Sequence, residues 1–274
     1  MRVGVVGRFL GGLGLRSRIR LGGIAPWSDW GWPGSSLSAV STYLINAEDP
    51  SLEGAAEEIR TAGVDVQTVQ ADLRSYEGVE QLYAAILAMN RPVDVAALNA
   101  GVGQGGAFVD IDLADEFEIM DVNITYTVHL AQRLLSDMVA RIEGRVLITS
   151  SIASTMPGTF QAVYNASKSF LQSFTEALHN EFKGSDVTIT AVMPGPMEPN
   201  FFHRADMDDT RIGAGSKDDP AQVAKQAVDA LFEGKDKLVA GSVKTKVQGL
   251  ANKVLPDSAK AAAHRKLAEP GSGS

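Results

Sequence analysis

A tyrosine and a lysine in the second half of the chain have the types and spacing needed for proton transfer. Tyr164 and Lys168 are four residues apart at the start of a predicted helix, which places both side chains on one face, one turn apart. A phenol titrates at about pH 10 in water, and an adjacent ammonium favours the phenolate, so the hydroxyl becomes a better acid or base near neutral pH. An ordinary amphipathic helix with a surface lysine would show the same spacing, and this alternative stays open.

Ser151 lies thirteen residues before Tyr164, at the end of the predicted strand Arg145–Thr149. A serine hydroxyl at that place could donate a hydrogen bond to a substrate oxygen while the tyrosine transfers a proton. A loop through Pro157 and Gly158 separates the strand from the helix. The stretch therefore predicts a strand, a loop and a helix that bring three functional side chains to one place.

Other short motifs, most of them at predicted strand ends, stand in the order of a known family. They are Asp72-Leu73, Asn99-Ala100-Gly101, Asn123, Ser151 with Tyr164-x-x-x-Lys168, and Pro194-Gly195. On these motifs the chain resembles, from Leu44 onward, the classical short-chain dehydrogenase/reductase family, which is built on an NAD(P)-binding Rossmann fold. The resemblance covers about five-sixths of the chain and leaves out the N-terminal segment.

The resemblance implies reversible hydride transfer between NAD or NADP and a carbonyl compound or secondary alcohol. Tyr164 would be the general acid or base, and Ser151 would polarise the carbonyl oxygen. Lys168 would bind the nicotinamide ribose and lower the pKa of Tyr164. Asn123 would hold a water molecule that extends the proton relay from Lys168. Asparagine is a poor residue for a helix interior, which favours such a role, and a hydrogen-bonded buried amide is the alternative.

The same resemblance assigns residues to the cofactor. Asp72, with Leu73, would lie beside the adenine ring, although Asp72 could instead cap a helix that starts near Tyr76. The small residues Asn99-Ala100-Gly101 would let the backbone approach a ribose, and Pro194-Gly195 would approach the nicotinamide. The family often has a threonine just beyond, which binds the nicotinamide amide, and this chain has Met197 and Pro199 in that neighbourhood.

Glu48 and Asp49 follow the predicted strand Tyr43–Asn46, where a Rossmann fold places the group that reads the adenosine ribose. A carboxylate accepts a hydrogen bond from the ribose 2′-hydroxyl, whereas a 2′-phosphate favours arginine, and no arginine stands here. The pattern favours NAD over NADP. The alternative is a helix start, in which Asp49 or Ser51 caps a helix over 52–62.

The N-terminal segment, residues 1–43, differs from the rest of the chain. It holds five arginines and all three tryptophans. The predicted strand Arg2–Val6 runs into a glycine-rich stretch, in which Gly12 and Gly14 match two of the three glycines of a phosphate-binding loop and Arg8 replaces the first. A frayed N-terminus is the alternative. No apolar periodicity follows, so this atypical segment is interpreted as disordered or as translated from a shifted reading frame.

From Tyr43 to Ala240, strands alternate with helices. This alternation predicts an α/β fold with a doubly wound, Rossmann-like parallel sheet, whose site lies at the carboxyl ends of the strands. A chain of 274 residues suits one such domain, here 1–270.

Two later segments are predicted to be less regular. Residues 200–217 are expected to form a variable loop over the substrate pocket, with Phe201 and Phe202 lining the pocket or packing beneath the loop. Residues 243–269 are predicted to be C-terminal helices broken near Pro256, which could pack on a neighbouring subunit, and 270–274 a flexible tail.

Composition argues against several classes of protein. The chain has no cysteine, and its four histidines show no ligand spacing, so we expect no metal site. A net charge of −8 argues against nucleic acid as a partner. Apolar runs are too short for a membrane span and no signal peptide is expected, which indicates a cytoplasmic protein without a membrane partner.

Three interpretations of function stay open. An enzyme acting on a small-molecule carbonyl compound or alcohol, in a homodimer or homotetramer, is favoured by the intact motifs and by analogy with the family. A catalytically impaired Rossmann scaffold with defective cofactor binding is favoured by the atypical N-terminal segment. If the first βαβ unit is missing there, the sheet also loses its middle strand. A binding module for a protein partner is supported by the C-terminal helices alone.

Overall fold

Parallel strands form one sheet in the part of the chain that the structure describes. The computed structural model describes residues 2–7, 40–46, 52–61, 65–197 and 199–273. The strands are β1 Arg2–Gly7, β2 Val40–Asn46, β3 Asp65–Val69, β4 Val93–Leu98, β5 Glu143–Thr149, β6 Asp186–Pro194 and β7 Lys237–Ala240. They lie in the order β3-β2-β1-β4-β5-β6-β7. The predicted doubly wound sheet is confirmed, and its strand order reverses between β1 and β4.

Strand β1 lies in the middle of this sheet. It pairs in parallel with β2, where Val5 is in register with Leu44, and with β4, where Val5 is in register with Ala96. The strand predicted over Arg2–Val6 is therefore confirmed. The sheet has its middle strand, so this structural reason for expecting an impaired scaffold is removed.

Helices connect the strands and cover the sheet. They are α1 Leu52–Arg60, α2 Tyr76–Ala88, α3 Leu113–Met120, α4 Thr127–Ala140, α5 Ala162–Glu181, α6 Pro199–Arg204, α7 Arg211–Ala214, α8 Pro220–Phe232, α9 Val243–Ala251 and α10 Asp257–Ala268. The single helix predicted from Leu113 to about Ala140 is interrupted, because Asp121–Tyr126 forms a π-helical segment between α3 and α4. Such segments within α-helices are frequent at functional sites, and Asn123 lies in this one.

The side chains of β5 alternate between two apolar cores. Val146 and Ile148 pack on one face of the sheet, in a cluster that includes Leu98. Leu147 packs on the other face with Val223 of α8. Successive side chains of a strand point to opposite faces, so a continuous apolar strand needs cover on both. This burial fixes the position of β5 and of the serines that follow it.

The segment predicted as a loop over 200–217 is partly helical, and the prediction was wrong for α6 and α7. Phe202, Ala205 and Met207 form a buried cluster with Ala268 of α10. The apolar residues of the segment find their partners in a helix far along the chain. Local sequence does not reveal that contact, which is why the helices were not predicted.

The predicted C-terminal helices and the break near Pro256 are present. Helix α10 packs on its own chain, with Lys260 Nζ donating a hydrogen bond to the Thr155 carbonyl at 3.1 Å. The tail, expected to be flexible, is hydrogen-bonded: Gly273 N–H donates to the Asp209 carbonyl at 2.7 Å. The tail backbone thus has an acceptor on the segment just before α7, and its flexibility stays a prediction.

Candidate active site

The carboxyl ends of three neighbouring strands line one cavity. Residues that directly follow β4 and β5, and the end of β6 with the residues after it, surround a volume of about 190 Å³ together with side chains of α5. In open α/β sheets, ligands bind at this edge. The predicted site residues that line the cavity are Asn99, Ala100, Gly101, Ser151, Tyr164, Lys168, Pro194 and Gly195.

Hydrogen bonds hold the first turns of α5 against the end of β5. Ser150 Oγ donates to the Lys168 carbonyl at 2.8 Å. Asn165 Nδ2 donates to the carbonyls of Ala153 at 3.1 Å and Met156 at 3.2 Å. Asn165 is buried, so its amide stabilises the loop that joins the strand to the helix. This anchoring fixes the two predicted catalytic side chains of α5 relative to the strand end.

The side chains of Ser151 and Tyr164 are hydrogen-bonded to each other. Ser151 is buried, and its Oγ also accepts from Ala153 N–H at 3.1 Å, which caps the 3₁₀ turn Ile152–Thr155. Burial raises the pKa of Tyr164 to about 12, and the Ser151 hydrogen bond acts in the opposite direction. Tyr164 is therefore protonated at neutral pH and is able to donate a proton to a substrate oxygen.

Lys168 is buried beside Tyr164, and burial, not the lysine, is the main cause of the shift in the pKa of Tyr164. Its Nζ lies 5.9 Å from the centroid of the Tyr164 ring and donates to the Thr149 carbonyl at 3.1 Å. Burial lowers the pKa of Lys168 to about 8. The expectation that Lys168 would bring the pKa of Tyr164 below its ordinary value does not hold here, because burial favours the neutral form of both groups.

Asn123 is fully buried and joins two segments of the site. Its Oδ1 accepts from Val102 N–H at 2.9 Å, and its Nδ2 donates to the Val102 carbonyl at 3.0 Å and to Ser167 Oγ at 2.9 Å. The amide thus holds the loop after β4 against α5, as the alternative of a hydrogen-bonded buried amide predicted. Its role in a proton relay stays a prediction.

Asn99 and Gly101 shape the wall of the cavity after β4. Thr149 Oγ1 donates to Asn99 Oδ1 at 2.7 Å, which joins the ends of β4 and β5. A β-carbon on Gly101 would lie 3.0 Å from Lys168 Nζ and 3.2 Å from Asn123 Oδ1. Glycine therefore allows a close approach of the backbone to these two side chains.

Asp72 and Leu73 lie after β3. Arg74 Nε contacts Asp72 Oδ1 at 2.9 Å, and the hydrogen bond from Arg74 lowers the pKa of Asp72. Ser75, and not Asp72, caps α2: its side chain accepts from Gly78 N–H at 3.0 Å. Leu73 packs against the apolar core. The contact of Asp72 and Leu73 with an adenine ring stays a prediction.

Four predicted cofactor residues lie outside the described part of the chain: Gly12, Gly14, Glu48 and Asp49. The same is true of the tryptophan-rich stretch and of the proposed caps Asp49 and Ser51. The phosphate-loop interpretation, the disordered or frame-shifted alternative and the ribose-reading carboxylates therefore stay predictions.

Side chains from α6, α9 and α10 form the opposite wall of the cavity. Phe201 and Phe202 both line it, and the ring centroids of Phe201 and Tyr164 are 5.5 Å apart. Gln161, Gln248 and His264 line it as well. Sequence analysis missed these three residues because each is a single polar residue outside any motif. Gln161 directly precedes α5, whereas the positions of Gln248 and His264 depend on how the C-terminal helices pack over the site.

Comparison with known proteins identifies the class to which this site belongs. The strand order and the Ser151, Tyr164 and Lys168 set define a Rossmann-type α/β protein. Residues 38–210 match the family described as short chain dehydrogenase. Because that match spans more than half of the sequence, the chain belongs to the short-chain dehydrogenase family, and the resemblance seen in the motifs is confirmed.

Individual relatives are more distant. The ketoacyl reductase HetN of Nostoc sp. is 28% identical over 196 residues, which cover 70% of this chain and 67% of that protein. The chain spans 56% to 62% of the length of several other curated relatives.

Solved structures share the fold. A short-chain dehydrogenase/reductase from Burkholderia phymatum in complex with NAD has a TM-score of 0.69 at 23% identity, covering 77% of this chain and 82% of that chain. A variant of the actinorhodin polyketide ketoreductase with NADPH has a TM-score of 0.63 at 24% identity, covering 72% of this chain and 84% of that chain.

Two further properties concern the described residues alone. None of their helices is both long and apolar enough to cross a membrane. Nor do they contain a group of three or more histidine, aspartate or glutamate side chains placed to hold a metal ion.

Proposed function

We propose that this chain catalyses reversible hydride transfer between NAD or NADP and a small-molecule carbonyl compound or secondary alcohol. The observation that carries the proposal is the convergence of Ser151, Tyr164 and Lys168 on one cavity at the carboxyl edge of the sheet. Membership of the short-chain dehydrogenase family supports it. So does the name of one relative, a ketoacyl reductase.

The cavity wall fits the nicotinamide end of such a cofactor. The small residues Ala100, Gly101 and Gly195 line the cavity and leave room for a ring to approach the backbone. The Lys168 ammonium can donate hydrogen bonds to ribose hydroxyls. A bound nicotinamide cofactor would donate or accept the hydride, and the protein would supply binding and orientation.

Tyr164 and Ser151 would act on the substrate oxygen. In carbonyl reduction the Tyr164 hydroxyl donates its proton to that oxygen, and the Ser151 hydroxyl donates a hydrogen bond as negative charge develops there. In alcohol oxidation Tyr164 must first lose its proton, and its pKa of about 12 makes this form scarce at neutral pH. The arrangement therefore favours reduction near neutral pH and oxidation at higher pH.

Lys168 and Asn123 would return a proton to Tyr164 after reduction. The pKa of Lys168, about 8, lies close enough to neutral pH for the ammonium to exchange its proton. Asn123 Oδ1 and Lys168 Nζ border the same space beside Gly101. A water molecule bound by Asn123 would connect the lysine to solvent.

NAD is the proposed cofactor of choice, because Glu48 and Asp49 follow β2 without an arginine among them.

We also propose that the protein is a homodimer or homotetramer. Phe117 of α3 and Phe170 of α5 are 51% and 40% exposed, and apolar surface of this kind supports association through these helices.

Titration of the purified protein with NADH and with NADPH, followed by nicotinamide fluorescence, tests the proposal. Saturable micromolar binding of one or both is expected, with NADH tighter, followed by oxidation of the bound cofactor when ketones are added. Binding of neither cofactor would contradict the proposal and favour the scaffold defective in cofactor binding. Tighter binding of NADPH would overturn the NAD preference alone.

A further inference from the structure

A histidine of the C-terminal helix lines the cavity that holds the candidate catalytic residues. His264 of α10 is 3% exposed, and its ring is part of the cavity wall that Tyr164 and Ser151 also line. It belongs to none of the motifs that place the chain in its family. The mechanism described above leaves it without a role.

The hydrogen bond made by one ring nitrogen fixes the state of the other. His264 Nδ1 lies 2.9 Å from the Thr159 carbonyl oxygen. A carbonyl oxygen can only accept a hydrogen bond, so Nδ1 carries the proton. In a neutral imidazole the second nitrogen, Nε2, is then an acceptor with a free lone pair. Burial lowers the pKa of His264 below its ordinary value, which keeps the ring neutral at pH 7.

The ring is held in this position by several contacts. Thr159 Oγ1 donates to the Ala261 carbonyl at 3.1 Å, one turn before the histidine. Lys260 Nζ donates to the Thr155 carbonyl at 3.1 Å. Two segments of the loop between β5 and α5 are thus bound to α10. The hydrogen bond from Nδ1 therefore belongs to a fixed interface between this loop and the helix.

The cavity that His264 lines has apolar side chains beside polar ones such as Gln161, Gln248 and Arg204. Met156, Phe201, Ile212 and Leu267 line the same cavity. Within the part of the chain that the structure describes, no side chain or backbone group is hydrogen-bonded to Nε2. Nε2 keeps access to solvent, and His264 lines the cavity, so a hydroxyl group of a bound substrate is able to donate to this nitrogen.

We propose that His264 determines substrate specificity by accepting, at Nε2, a hydrogen bond from a hydroxyl group of an otherwise apolar ketone or of the corresponding alcohol. This hydroxyl is remote from the reacting carbon, whose oxygen is bound by Tyr164 and Ser151. The substrate class is thus a hydroxyketone or diol with an apolar skeleton. The inference rests on the proposed function, because it assigns the second polar contact of a substrate in the same cavity.

Matched ketones test the proposal by activity. Ring ketones of one and of two fused six-membered rings are compared, each with a hydroxyl, a methoxy or a methyl group at the position opposite the carbonyl. The wild-type protein is expected to prefer the hydroxyl compound over both others by about 10–100-fold in kcat/KM, because the others leave the acceptor unpaired. Equal kcat/KM for all three substituents on both skeletons would overturn the proposal.

Three variants connect the preference to the histidine. His264→Phe keeps an aromatic ring without an acceptor and is expected to lose the preference, read as the ratio of kcat/KM for the hydroxyl and the methyl ketone, even where loss of the Thr159 hydrogen bond lowers both values. His264→Gln keeps an acceptor oxygen and is expected to retain part of the preference. His203→Phe is the matched control, since His203 is exposed and should leave the preference intact. A preference that persists in His264→Phe contradicts the assignment.

A measurement that needs no turnover separates this proposal from the proposed function. The ¹⁵N NMR spectrum of the histidine rings, assigned by the signals lost in His264→Gln, is expected to show His264 protonated at Nδ1 and unprotonated at Nε2. Addition of the hydroxyketone should shift the Nε2 signal, and the methyl ketone should not. A proton on Nε2, or equal shifts, would overturn the proposal. Expected spectra without turnover of any ketone would contradict the proposed function alone.

Discussion

Lys168 Nζ and Asn123 Oδ1 both lie close to the backbone of Gly101, in the turn after β4. A β-carbon built on Gly101 would lie 3.0 Å from the first atom and 3.2 Å from the second. The two side chains come from α5 and from the π-helical segment, and both lie close to the turn after β4. Glycine at position 101 of the predicted turn Asn99-Ala100-Gly101 therefore leaves room for the lysine and the asparagine.

The first prediction concerns this contact. Asn123 is held by three hydrogen bonds, whereas the end of Lys168 is a flexible chain, so Gly101→Ala should displace mainly the lysine ammonium. Cofactor affinity is expected to fall about tenfold, close to the loss of one hydrogen bond to a charged group. The free energy of unfolding should change by less than about 1 kcal/mol.

Gly54→Ala is the control for this variant. Gly54 lies in α1 with nothing within 4 Å of the added carbon, and alanine should stabilise that helix by about 1 kcal/mol without affecting cofactor affinity. Fluorescence titration and urea unfolding measure both quantities. Unchanged cofactor affinity in Gly101→Ala would show that the lysine position does not depend on this glycine.

The second prediction concerns the proton donor. Tyr164→Phe removes the hydroxyl and keeps the ring that contacts Phe201. Turnover should fall by about 10²–10⁴-fold, the range for a lost general acid, while cofactor affinity changes less than threefold. Tyr83→Phe is the control, because the Tyr83 hydroxyl binds Asp137 on the surface. Turnover of Tyr164→Phe at the wild-type rate would refute the assignment of Tyr164.

Sequence reasoning succeeded where function depends on strand ends. Ser151 and Gly101 lie just after buried strands, and the apolar runs 95–98 of β4 and 146–148 of β5 indicate that burial. Once the strands are parallel neighbours, their carboxyl ends must meet. The convergence of these residues in one cavity therefore follows from local patterns.

Contacts between distant segments were not predictable in the same way. The π-helical segment at Asn123 lies where the Asn123 amide is hydrogen-bonded to the Val102 backbone. Helix propensity does not predict this contact between distant residues. His264 enters the cavity because α10 binds Thr159, 105 residues earlier. The pKa of Tyr164 was expected to be lowered, because the spacing places a lysine nearby. Burial raises it instead, and the extent of burial depends on residues from the whole cavity.

The third prediction concerns the hydrogen bond between Ser151 and Tyr164. Ser151→Ala removes a group that lowers the pKa of Tyr164, so that pKa should rise further. In the proposed alcohol oxidation the deprotonated tyrosine would be the base, and the activity should therefore increase only at higher pH than in the wild type. The turnover number should fall by about 10²–10³-fold. Losing the cap of the 3₁₀ turn should cost about 1 kcal/mol of stability.

Ser151→Thr keeps the hydroxyl and is the control for that variant. It is expected to restore the pH dependence of the wild type, even where its added methyl group slows turnover. The pH profile of kcat for oxidation of a secondary alcohol is the measurement. An unshifted profile in Ser151→Ala would show that the serine does not act on the titration of Tyr164.

The fourth prediction concerns the stability cost of burying Lys168. Burial lowers the pKa of Lys168 from 10.5 to about 8. Between these values the unfolded chain keeps the proton that the folded chain has released, so stability rises with pH across this window. Below about pH 8 the folded protein holds a buried charge, at a cost of about 3 kcal/mol for a shift of this size.

Lys168→Met keeps most of the volume of the side chain and removes its charge. At pH 7 the variant should gain about 2 kcal/mol in free energy of unfolding, since loss of the hydrogen bond to the Thr149 carbonyl offsets part of the gain. At pH 10 the gain should be much smaller, because the wild-type lysine is then neutral in the folded state. Lys225→Met, at an exposed position, should show no such pH dependence. Urea unfolding at the two pH values measures the difference, and a Lys168→Met variant less stable than the wild type at pH 7 would refute it. Turnover should be lost in the same variant, because Lys168 is the residue proposed to bind the ribose and to supply the relay proton.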